Sequence, residues 1–336
     1  MFLNKKIKIF LNYFVGPVIF IWLSYSIYHQ IQQQGDVHQS WRFIIAALTG
    51  PQAWKLVLVS ILMLLHLGIE AVKWTILMRN IQPVSFARAY RAVFSGQALA
   101  FNTPNRLGES AGRAVYLEEG NRLRGIILSV VGSMSQNIVT FVVGLLALLY
   151  LRLNILGPAY TIAGMSIFWY NALVFMVTVG TGFFIIIYFR IAWAIKIVEK
   201  ISFVKKHRFL VQKLEDFHWR ELTNVLFLSF CRYVIYLVQY VLLLQVFEVH
   251  VAILNAACMT GVVFLVITMI PTIALAELGF RGKVSLQLFG LLSTNTVGII
   301  ATAAGIWIIN LIIPAIAGSL LLLGIRLFRI KMNRAK

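Results

Sequence analysis

The chain is poor in acid. Its 336 residues hold 11 Asp and Glu against 30 Lys and Arg, a formal net charge of +19. Cysteine is nearly missing too: Cys231 and Cys258 are the two present, each inside an apolar run. Such a pair supports neither a disulfide framework nor a zinc site. The sequence also has no Walker loop, dinucleotide fingerprint, catalytic triad or metal-ligand set. No cofactor, no metal and no catalytic residue are therefore expected.

Apolar residues are what the chain has in quantity. It is 60% hydrophobic with a mean hydropathy of +0.86. Several windows exceed 18 apolar residues, the length needed to cross a bilayer as a helix. The sequence predicts an all-α, polytopic integral membrane protein. On a soluble protein this basic excess would point to nucleic acid. In a membrane protein it orients the spans and meets anionic lipid, so no nucleic-acid partner is expected.

Six full spans are predicted, at about 9–27, 53–78, 126–151, 164–188, 222–247 and 297–323. The first follows Lys5, Lys6 and Lys8 and lacks a small-residue cleavage site after it, so it reads as an uncleaved span. The loop 190–221 carries eight basic and four acidic residues. Within it, Trp193, Ile197, Ile201 and Val204 recur at helical spacing beside Lys196 and Lys200, the pattern of a helix lying on the membrane surface. The N-tail, 79–91, 113–124, 190–220 and the C-tail together hold 22 basic residues, against Arg42, Lys55 and Arg152 on the other side. Both termini and the long loop are thus expected on the cytoplasmic side of a bacterial-type plasma membrane.

Two segments fit no ordinary span. Residues 94–113 hold a proline, three glycines, two arginines and a glutamate. Residues 251–292 break at Pro271 and carry a second charged cluster. Broken backbone survives at membrane depth only where protein or a wet cavity covers it. Charge topology then makes each a re-entrant hairpin, the first dipping in from the cytoplasm and the second from outside. An arrangement of eight spans, with 251–270 crossing fully, keeps the same parity and stays open.

The two segments resemble each other. Glu109 and Arg113 stand at i, i+4 after Pro104; Glu277 and Arg281 stand at i, i+4 after Pro271, 168 residues further on. This is the pattern of inverted repeats, with 1–189 and 222–336 as the two halves and broken helices meeting near the midplane to build a site. Charges in hydrocarbon are rare and need partners. A Glu and an Arg one turn apart can neutralise each other and leave nothing for a ligand. They can also part to hold a zwitterionic or anionic headgroup, and the planar guanidinium fork suits phosphate.

Arg106 is the residue placed to meet that phosphate. Arg232 lies about ten residues, or ~15 Å, into its span without a local acid, and needs a distant partner or a headgroup. Glu70 and Lys73 are expected to pair near the cytoplasmic end of 53–78, with Lys73 snorkelling. Gln136, Asn137 and Asn310 read as interhelical hydrogen bonders. His66 reads as a packed histidine, and His207 and His218 fall in the basic loop. Trp41, Trp54, Trp74 and Trp169 read as an interfacial aromatic belt.

The motifs also resemble a family. T-P-N-R-L-G-E-S-A-G-R at 103–113 is similar to the T-P-G-R-x-G-E…R motif of the lysylphosphatidylglycerol synthase transmembrane-region family. P-T-I-A-L-A-E-L-G-F-R-G at 271–282 is similar to its P-x-x-x-G-G-x-G-x-R-E, and K-W-T-I-L-M-R at 73–79 to its R-W-x-x-L-L-R. The likeness covers about residues 10–325. It implies a membrane domain related to the flippase half of the bacterial multiple peptide resistance factor, which moves aminoacylated phosphatidylglycerol between leaflets. Some relatives are associated with export of glycolipid or polyprenyl-linked sugar. By motif it carries over Thr103, Pro104, Arg106, Gly108, Glu109, Arg113, Pro271, Gly279 and Arg281. The chain departs from the pattern at Asn105, where the family has Gly, at Glu277, near a usual Gly, and at Gly282, where it has Glu. In full-length relatives the synthase activity resides in a soluble C-terminal domain. Here the chain ends about a dozen residues after the last span, so that activity is not expected of it.

The leading expectation is a translocator for a phospholipid or lipid-linked substrate. Its site residues are Thr103, Arg106, Glu109, Arg113, Arg232, Glu277 and Arg281. Two other readings stay open. One is a membrane-embedded enzyme or enzyme subunit acting on lipid-linked sugars or aminoacyl lipids, with Glu109 or Glu277 as base. The other is a scaffold docking a partner synthase through 190–221. A homo-oligomer is compatible with each.

Overall fold

The computed structural model describes residues 42, 45–46, 49–101, 103, 106–156, 166–191, 193, 217–270 and 274–334. The span at 9–27, the helix at 194–204, Trp41, Pro104 and Pro271 lie outside the described residues. Helices supply all the regular structure among the described residues, which confirms an all-α chain. In order they are α1 (Ala53–Met78), α2 (Phe86–Ala100), α3 (Gly108–Ala114), α4 (Arg122–Asn154), α5 (Ile167–Phe189), α6 (Trp219–Val246), α7 (Ile253–Met269), α8 (Ala274–Phe289), α9 (Thr296–Trp307) and α10 (Ile313–Arg334). A single π-helical turn, Ile308–Ile312, joins α9 to α10. Pro314 has no N–H, so it leaves the Asn310 carbonyl without its ordinary helical donor at this turn.

Five of these elements are long and apolar enough to cross a bilayer: α1, α4 with the turn before it, α5, α6, and the α9–α10 rod as far as Gly324. They coincide with five of the six spans read from the sequence. The chain is a multi-pass membrane protein. Its surface is apolar, and its interior holds charged and polar side chains within a hydrophobic core. On α1, Trp54, Val57, Ile61, Leu64 and Leu65 are exposed, whereas His66, Glu70 and Lys73 are buried with Met63, Leu67 and Trp74. The buried set recurs every three or four residues and so forms one stripe. α5 is the most peripheral helix. Phe168, Phe175 and Phe183 face outward from it, and it buries chiefly Tyr170, Val177, Thr181 and Tyr188.

Two helical hairpins are held by these rods. α2 packs on α3 and α7 on α8. In the first, a Cβ at Gly108 would overlap the Leu99 carbonyl, and one at Gly112 would lie 2.6 Å from the Ser95 oxygen. These glycines let the two limbs touch backbone to backbone. The first limb of each hairpin packs on a rod from the other half of the chain, α2 on α10 and α7 on α4. The second limb packs on the rod that follows it, α3 on α4 and α8 on α9. Likewise α1 touches α2 and α4, while α6 touches α7 and α9. α1 and α6 lie against each other between the hairpins.

Some interface expectations need correction. Trp74 does not belong to an aromatic belt: it is fully buried, and its indole N–H donates to Ser129 Oγ at 3.3 Å. Trp54 and Trp169 are exposed. Lys73 does not snorkel; it is buried in the middle of the bundle.

Candidate functional site

A cavity of about 340 Å³ opens where the two hairpins meet the central rods. Arg106, Glu109 and Arg113 reach it from the first hairpin, Glu277 and Arg281 from the second, and Glu70, Lys73 and Arg232 from α1 and α6. Phe264, Ile267, Ile270 and Leu311 also line it.

Glu70 is at the centre. Its Oε1 accepts from Arg113 Nη1 at 2.8 Å. Its Oε2 meets Lys73 Nζ at 2.8 Å and Arg232 Nη1 at 2.7 Å. One carboxylate thus ties together α1, α3 and α6. Arg232 lies midway along α6, so the cluster is deep in the bundle. Further hydrogen bonds offset part of the cost of burying an ion set of this kind. Lys73 accordingly donates to the Gly132 carbonyl and to Ser229 Oγ, both at 3.2 Å. The Arg232 guanidinium lies 5.6 Å from the centre of the Tyr236 ring.

Two arms extend from this centre. Arg113 also pairs with Glu109, one turn away on α3. Gln97 then donates from Nε2 to Glu109 Oε1 at 3.1 Å and accepts from Arg106 Nη2 with its own oxygen. Arg106 sits in the hairpin bend with a φ of 58°, a left-handed conformation that few non-glycine residues adopt. In the second hairpin Arg281 pairs with Glu277 and lies 5.7 Å from the Phe264 ring centre. Both Glu-x-x-x-Arg pairs therefore form as spaced, and both face the cavity.

A match over most of the chain accompanies this geometry. The model of the family described as the lysylphosphatidylglycerol synthase TM region matches residues 13–318. The chain belongs to that family. Comparison with curated proteins gave no match. The lysylphosphatidylglycerol synthase TM-region match takes in both hairpins and four of the described rods, ends within the fifth at residue 318, and agrees with the family that the motifs resemble.

Of the seven residues expected at the site, six line the cavity: Arg106, Glu109, Arg113, Arg232, Glu277 and Arg281. Thr103 does not. Its Oγ1 accepts from the Gly108 amide at 2.8 Å, closing the hairpin bend. Sequence reasoning set Glu70 and Lys73 aside as a terminal pair; they are the most connected charges in the site. One signal was available for them. His66, Glu70 and Lys73 recur on one face of an otherwise apolar helix. Gln136 and Asn137 were read as interhelical hydrogen bonders and instead line the cavity, Gln136 Oε1 having no bonding partner among the described residues. Asn310 fulfils its expectation, bonding His66 Nε2 at 2.8 Å across to α1. His218 caps the start of α6.

The cavity carries five cationic and three acidic side chains, an excess of two positive charges. No group of three His, Cys, Asp or Glu gathers among the described residues to hold a metal ion. The arrangement can bind an amphiphile, because charged groups, hydrogen-bond donors and apolar side chains line the same space.

Proposed function

We propose that the protein moves a polar-headgroup lipid between the two leaflets, with the headgroup in this cavity and its tails in the surrounding lipid. One observation carries the reading: ionisable side chains from both hairpins share a single cavity that apolar side chains also line. Charged groups inside a membrane protein usually mark a pathway or a site. The contact pattern supports the same reading. Exchanging α1 with α6, α2 with α7, α3 with α8 and α4 with α9–α10 maps one set of helix contacts onto the other. That correspondence fits inverted repeats, with 94–113 and 251–292 entering from opposite faces and both termini cytoplasmic. A family named for the membrane region of a lipid-modifying synthase is consistent with a lipid as cargo.

The test is leaflet exchange of a fluorescent phospholipid in proteoliposomes. Arg281→Ala and Glu109→Ala are expected to remove exchange while the protein still elutes as a folded species from size-exclusion chromatography. A wild-type protein that moves no phospholipid or lipid-linked sugar contradicts the reading. Lipid mass spectrometry separates the enzymatic alternative, since a new covalent product would replace simple redistribution.

A further inference from the structure

The charges in the cavity are not equivalent. Every carboxylate there is already held by an arginine: Glu70 by Arg113 and Arg232, Glu109 by Arg113, and Glu277 by Arg281. A cationic headgroup entering the cavity would meet only carboxylates whose charge an arginine already neutralises. The cations are in the opposite position. Arg106 has no acid within ion-pairing distance among the described residues; its partner is the neutral Gln97. Among the described residues Arg281 keeps both Nε and Nη1 buried without a hydrogen-bond partner, and the residue is only 9% exposed. Among the described residues Arg113 and Arg232 each keep an unpartnered Nε. Unpaired buried donors are costly, and a ligand rich in acceptor oxygens would satisfy them.

Geometry adds to the count. Arg106 comes from the bend of the first hairpin and Arg281 from the second limb of the other, so the two least-paired cations approach the cavity from separate hairpins. The rest of the cationic set is pinned to Glu70. A group with several acceptor oxygens and two negative charges would bridge Arg106 and Arg281 and cancel the cavity's excess charge. A phosphate monoester has this chemistry, with three strong acceptor oxygens and close to two charges at neutral pH. A diphosphate shares it. A phosphodiester brings half the charge, and a lysyl or choline headgroup brings a cation that meets only paired acids.

We infer that the cavity selects a headgroup carrying two negative charges on a phosphate monoester or diphosphate, and disfavours headgroups bearing a cation. This inference rests on the translocation reading for its lipid source, and the assay below separates the two. Full-length protein is reconstituted in vesicles of phosphatidylcholine carrying a trace of one tail-labelled lipid. The labelled lipids are phosphatidic acid, phosphatidylglycerol, phosphatidylcholine and lysylphosphatidylglycerol. Binding of short-chain phosphatidic acid, inorganic pyrophosphate and short-chain lysylphosphatidylglycerol to the protein in detergent is measured in parallel.

The expected result is exchange and binding of phosphatidic acid on the order of tenfold above phosphatidylcholine and lysylphosphatidylglycerol. In the binding measurement Arg106→Gln and Arg281→Gln should each erase most of that preference, and Arg281→Lys should keep part of it because it retains the charge but not the fork. Exchange at equal rates for all four lipids, or fastest for the lysyl lipid, overturns the inference and leaves translocation standing. Tight binding of phosphatidic acid without exchange of any lipid overturns translocation and upholds the selectivity. Pyrophosphate binding as tightly as phosphatidic acid would assign the site to free phosphate compounds, overturning the lipid source. Unchanged preference in both glutamine variants removes Arg106 and Arg281 as the selecting residues and overturns the inference.

Discussion

Glu70 gathers three cations, and its removal should be the most damaging single change in the site. Glu70→Gln leaves Lys73, Arg113 and Arg232 buried with one acid fewer between them. Breaking a buried ion set from one side costs about 3–5 kcal/mol. Thermal unfolding in detergent, followed by tryptophan fluorescence, should show a large fall in Tm for Glu70→Gln. Adding Arg232→Met should recover part of it, because the second change removes one stranded charge. No recovery in the double variant would mean that Arg232 is not held by Glu70. This residue also shows where reading the sequence runs out. Spacing along a helix revealed Glu109–Arg113 and Glu277–Arg281, which are local pairs. It revealed Glu70–Lys73 for the same reason, and stopped there. The partners that make Glu70 central are 43 and 162 residues away, beyond the reach of periodicity. Arg232 was legible as a buried charge in need of a partner, but not whose. Thr103 was misplaced because its motif neighbours are site residues while its own hydroxyl closes a bend.

The hairpins were legible as elements because proline, glycine and charge interrupt apolar sequence there. Their close packing was not, since it depends on which backbones meet. The structure now makes that testable. A Cβ at Gly108 or Gly318 would overlap a backbone carbonyl, that of Leu99 or of Phe94. Gly108→Ala and Gly318→Ala are expected to destabilise by about 1–3 kcal/mol, the usual effect of overpacking a tight contact. Gly180 and Gly182 have open space around them on α5, and their alanine variants should unfold within a degree or two of wild type. Equal losses at all four positions would mean that these close helix contacts do not set the effect, since helix propensity alone favours alanine over glycine. The long rods were the easiest elements to read. A run of apolar residues needs no partner to declare itself, and α1, α4, α5, α6 and α9–α10 fall where hydropathy put them.

At the scale of the molecule, each half of the chain depends on the other. α2 lies on α10 and α7 on α4, so neither hairpin is fully packed within its own half. A chain cut in the basic loop, between residues 194 and 216, should therefore reassemble when its two parts are co-expressed. A tag on one part is expected to retain the other through purification in mild detergent, and either part alone should be lost to degradation. Independent accumulation of both parts would contradict the interleaved packing. The same interleaving puts both hairpins on one cavity, and that is the structural basis of the proposed translocation. The most direct measurement is dithionite quenching of a tail-labelled phosphatidic acid in proteoliposomes that contain either wild-type protein or Arg281→Ala. Translocation through this cavity predicts that wild-type vesicles expose inner-leaflet label to quencher while Arg281→Ala vesicles protect it like protein-free ones. Label that stays protected in wild-type vesicles for every lipid tried, or that is exposed equally by Arg281→Ala, would contradict it.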